Sequence, residues 1–91
     1  MQAYLAAHDD FVQWLDNSDG APTAAEVDER LRALALAAAA RGMGSTHWAF
    51  VVDGLLAYVT HRRPGDPLLA SHIARGFDLC GQWQELQQRA A

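Results

Sequence analysis

The sequence predicts an all-α fold, a bundle of four helices in which residues 1–91 form a single domain. Three observations lead there. Four segments carry apolar residues at steps of three and four, turn-forming residues separate them, and no stretch alternates apolar with polar residues as a half-buried strand does. Hydrophobic residues make up 51% of the chain and charged residues 20%. That is enough apolar material for one core, and too little charge for a disordered chain.

The first helix is expected over 3–16, where Tyr4, Leu5, His8, Phe11, Val12 and Leu15 form one stripe. Asn17-Ser18-Asp19-Gly20-Ala21-Pro22 then collects residues that favour turns. Thr23-Ala24-Ala25-Glu26 fits a capping box, so a second helix starts at Ala24 and runs to Arg41. Val27, Leu31, Leu34 and Ala38 are its core stripe, and Gly42 can adopt the left-handed conformation that closes a helix. Its other side, Ala33, Leu36, Ala37 and Ala40, is also apolar.

Ser45 or Thr46 is expected to cap a third helix over 46–62, with Trp48, Val51, Val52, Leu55, Leu56 and Val59 facing the core. Phe50, Gly54 and Ala57 fall on the opposite side, which leaves this helix apolar nearly all round. Asp66-Pro67 pairs an N-cap with proline at the first helical position and opens a fourth helix over 67–89. Leu69, Ile73, Phe77, Cys80 and Trp83 are its stripe, Gly76 admits a bulky neighbour, and Gly81 is the expected kink.

A net charge of −4 and a pI near 5.3 supply no positive field for nucleic acid or anionic lipid. No apolar run is long enough to span a bilayer, and one cysteine cannot form an internal disulfide, so a cytoplasmic protein is expected. Alanine abundance and the use of arginine to the exclusion of lysine suggest a GC-rich, bacterial genome. His8, His47, His61 and His72 lack a second ligand three or four residues away, so no metal or other cofactor is assigned. Cys80 could act as a nucleophile only beside His72 or His47, and its apolar stripe favours a packing role. No catalytic residue is assigned.

Surplus apolar helix surface remains the distinguishing feature and points to protein–protein contact. The favoured function is a small interaction module: a subunit, adaptor, chaperone or anti-activator that self-associates as a homodimer or masks a partner segment. Leu36, Ala40, Phe50, Gly54 and Ala57, with Trp14 and Trp83, are its expected contact residues, and Asp53 is the polar group beside them. A competing reading is a small-molecule-binding protein or enzyme, with Trp48, Phe77 and Trp83 lining a pocket that His72 or Asp53 makes polar. A third follows the helix-turn-helix rhythm of residues 38–51, in which the would-be recognition helix offers Ala49, Phe50 and Asp53 where a DNA reader needs Arg, Lys, Asn or Gln.

Overall fold

Residues 2–17 and 22–90 are described by a computed structural model, and among them every regular element is helical. The elements are α1 (Gln2–Asn17), α2 (Ala24–Ala40), α3 (Ser45–Arg62), α4 (Pro67–Ala74), a 3-10 helix (Arg75–Gln82) and α5 (Trp83–Ala90). The last three follow one another without a break and form the fourth rod of an all-α four-helix bundle. Of the turn expected between the first two helices, residues 18–21 lie outside the described set.

Local chemistry sets most helix ends. The Thr23 hydroxyl accepts the Glu26 backbone N–H at 3.2 Å and donates to the Glu26 carboxylate at 3.2 Å, as a capping box requires. At the other end of α2, the Met43 N–H donates to the Ala38 carbonyl and the Gly42 N–H to that of Ala39. That pair is a Schellman closure, and Gly42 takes the left-handed φ of 89° it needs. The Asp66 carboxylate accepts the Leu69 N–H at 3.2 Å, with Pro67 in the first turn behind it. One cap differs from expectation. Gly44, not Ser45 or Thr46, precedes the first turn of α3, and no side chain caps that end. α3 therefore begins at Ser45, one residue before the expected start.

The core lies where the C-terminal rod packs on both α2 and α3, while α1 rests chiefly on α2. Trp48, fully buried, donates its indole N–H to the Gly76 carbonyl at 2.9 Å. Trp83 stacks on it, with centroids 5.5 Å apart and planes 26° from parallel, and donates to the Met43 carbonyl at 2.7 Å. Both indoles thus surrender water without losing a hydrogen bond. A β-carbon at Gly76 would stand 3.1 Å from Val52 Cγ2 and 3.5 Å from both Leu31 methyls, so the glycine is what admits these neighbours.

The fourth rod departs from the expected single α-helix. Its change of winding falls at Arg75, ahead of Gly81, and the 3-10 helix persists for eight residues, well beyond the usual three or four. Burial follows the winding: Ile73, Gly76 and Leu79 face inward at steps of three before Trp83 and Leu86 resume the α pattern. Phe77 and Cys80, expected in the core stripe, are displaced from it. Phe77 is 37% exposed, and Cys80 is half-buried with its thiol donating to the Ser45 carbonyl at 3.5 Å.

Thr23→Ala should lower stability by about 0.5–2 kcal/mol through loss of both capping contacts, read as a lower midpoint in urea unfolding. Gly76→Ala should also destabilise. Overpacking against the stiff, buried Val52 costs about 1–3 kcal/mol, more than the roughly 1 kcal/mol that alanine gains over glycine in a helix. Gly81→Ala, whose added carbon meets nothing within 4 Å, should be neutral or slightly stabilising. Equal midpoints for the two alanine variants would refute the close packing at Gly76.

Candidate interaction surface

α3 builds the surface through its helical period. Trp48, Val52, Leu55 and Val59 recur on one side and are buried, which turns Phe50, Asp53, Gly54, Ala57 and His61 to the opposite side, where all are exposed. Phe50 is 68% exposed, the most of any large apolar side chain among the described residues. Beside it runs a groove of about 270 Å³ between α1 and α3, lined by His8, Val12, Phe50, Val51, Gly54, Leu55 and Tyr58. Gly54 leaves its floor open, since a β-carbon there would meet nothing within 4 Å. Leu5, in the first turns of α1, is 50% exposed and adds further apolar area to the molecular surface.

At the Tyr58 end of the groove a polar clasp joins α1 to α3. The Tyr58 hydroxyl donates to Asp16 at 2.6 Å, Arg62 approaches the same carboxylate at 3.8 Å, and the Arg62 guanidinium lies 5.7 Å from the Tyr58 ring centroid. The hydrogen bond to Asp16 raises the Tyr58 pKa above the usual tyrosine value, with burial and the Asp16 charge adding to it and Arg62 opposing. At the other end of α1, burial raises the Tyr4 pKa against the opposing charge of Arg41, whose guanidinium lies 5.4 Å from that ring.

The contact residues expected from sequence divide into three groups. Phe50, Gly54 and Ala57 share the outer face of α3 as expected. Leu36 and Ala40 lie on α2, half-buried and exposed respectively, and line no part of the Phe50 groove, whose second wall is α1. Trp14 is half-buried, edge-on to Phe11 at 5.7 Å and covered by Arg30 at 4.6 Å from its centroid. Trp83 is a correction: at 4% exposure it is a core residue, held there by Trp48 and the Met43 carbonyl. Of the residues expected to line a pocket, Trp48 and Trp83 stack on each other in the core and Phe77 turns outward.

Sequence reasoning missed a polar cleft of about 180 Å³ where the 3-10 helix meets α2. Arg75 pairs there with Asp28 at 3.1 Å, beside Arg32, Asp78 and Gln82. Its members come from two rods, and the unexpected winding at Arg75 brings them together, so no spacing in the sequence marks it. Both partners of the ion pair are well exposed, which makes it a weak contributor to stability. His47 and His61 are exposed, His8 and His72 half-buried, and among the described residues no three His, Cys, Asp or Glu side chains converge as metal ligands would. Among the described residues no helix is long and apolar enough to cross a membrane.

Because the folded-state pKa of Tyr58 is raised, its protonated form is the one the fold favours. The stabilisation is complete below the unfolded tyrosine pKa, about 10, and fades as pH rises through the folded value. In a spectrophotometric titration the folded chain should therefore ionise its tyrosines at higher pH than the chain in urea. Asp16→Asn should bring Tyr58 back toward the unfolded value, and an unchanged curve would disprove the clasp.

Compared with protein-family models, with curated proteins and with solved structures, the chain matches none of them.

Proposed function

We propose that this chain is a small protein–protein interaction module and that the outer face of α3, with its groove against α1, is the contact surface. The observation that carries the reading is Phe50: a large aromatic 68% exposed on a helix whose other stripe already fills the core. Folding gains nothing from an apolar side chain left in water, whereas association buries it, and aromatic anchors beside open grooves dominate binding energy at such surfaces. Subunit, adaptor, chaperone and anti-activator roles all draw on this one property. An amphipathic helix laid along the groove between α1 and α3 would be engaged in the helix-in-groove manner. Leu36 and Ala40 lie outside that groove and stand as a separate, minor apolar area.

Ala57→Arg tests the reading, since Ala57 is exposed and its replacement leaves the buried stripe untouched. The variant should keep its circular dichroism spectrum and its melting temperature within about 4 °C, the shift expected of a surface change below about 0.5 kcal/mol. It should lose the protein companion that the unsubstituted chain retains, whether a second copy or another protein, because the long side chain holds the two surfaces apart and its charge must be desolvated. Unfolding of Ala57→Arg, or retention of every companion, would exclude the outer face of α3.

A further inference from the structure

We infer that α3 pairs antiparallel with α3 of a second copy of this chain, Gly54 and Ala57 forming the apolar centre, Phe50 closing each edge and Asp53 of each copy meeting His61 of the other. The inference rests on the reading of the outer face of α3 as the contact surface, and it names the occupant.

Polar complementarity decides the partner and its direction. Asp53 is the one acidic residue of α3, while His61 and Arg62 supply a basic last turn. Arg62 is engaged by Asp16, but among the described residues neither Asp53 nor His61 has a hydrogen bond or ion pair within the chain. Asp53 and His61 stand four positions before and four after Ala57 on the same exposed face, about 6 Å along the axis in each direction. A two-fold axis through Ala57, perpendicular to the helix, therefore exchanges them and forms two identical Asp53–His61 contacts. A two-fold axis parallel to the helices would instead set Asp53 against Asp53, which like charges oppose, and would leave His61 without the carboxylate. The antiparallel arrangement also opposes the two helix dipoles.

Shape agrees with that register. Ala57 lies at its own symmetry mate, and with a floor open at Gly54 the helix axes can come close. Phe50, seven positions before Ala57, then stands beside the end of the partner's last turn, at the edge of the overlap. His47, ten positions before Ala57, falls outside the overlap.

Sedimentation equilibrium on the purified chain should give twice the 9.9 kDa chain mass. Phe50→Arg should give a helical monomer. Asp53→Lys should weaken the dimer about tenfold, and adding His61→Asp to the same chain should recover it to within about threefold, as a swapped pair does. A monomer at about 100 µM, a dimer indifferent to Phe50→Arg, or a swap that fails to restore affinity would overturn the pairing. A photo-crosslinking benzoylphenylalanine at position 50, used in the chain's native cells, separates the two levels of the reading. An adduct of two copies supports both. Adducts only with a different protein overturn the second copy while the α3 surface stands, and no protein adduct at all overturns both.

Discussion

The fold depends on where a buried indole can place its N–H. Trp48 is without solvent access, and an unsatisfied donor there would cost about 1–3 kcal/mol. It finds the Gly76 carbonyl, 28 residues ahead, which fixes the rotation and height of α3 against the C-terminal rod. Gly76 permits the approach because it has no side chain to hold Val52 and Leu31 away. Trp83 repeats the logic, stacking on Trp48 and donating to the Met43 carbonyl, so the α2–α3 corner is fixed by α5. Two aromatic side chains thereby join three rods, and the register of the bundle follows from two hydrogen bonds.

The eight-residue 3-10 helix is best understood through that constraint. A 3-10 helix rises about 2.0 Å per residue against 1.5 Å in an α-helix, so the segment is about 4 Å longer than the same residues wound as α. The extension separates Ile73 from Trp83 while both remain in the core, and it changes the inward spacing to three, which seats Gly76 and Leu79. The 3-10 hydrogen bonds are poorer than α bonds. Tertiary contacts hold the winding: the Trp48 bond to Gly76, the packing of Leu31 and Val52 on it, and the ion pair between Arg75 and Asp28.

With the C-terminal rod meeting both α2 and α3, the bundle's core is complete without the outer face of α3. α1 is the peripheral rod, running along α2 with its tyrosine and tryptophan under Arg41 and Arg30 and reaching α3 through the Tyr58–Asp16–Arg62 clasp. Such surface contacts are individually weak, so the groove between α1 and α3 has apolar walls and little bracing. Phe50, 68% exposed beside that groove, adds little to the core.

The sequence by itself determined what rests on interactions within about four residues: the four rods, the capping box at Thr23, the Gly42 closure, the Asp66 cap and the core stripes of α2 and α3. It also marked Phe50, Gly54 and Ala57 as one outward face, because a helix of fixed period leaves no other side for them once Trp48 and Val52 turn inward. Tertiary structure decided the rest. Whether Trp83 is a contact residue or a core residue turns on a carbonyl 40 residues away. The change of winding at Arg75 depends on neighbours from α2 and α3, and it moves Phe77 out, displaces Cys80 and assembles the cleft with Asp28. Leu36 and Ala40 share helical spacing with a surface face but not the groove of Phe50, because α1 became its second wall. Periodicity says which side of a helix is apolar; only packing says what that side meets.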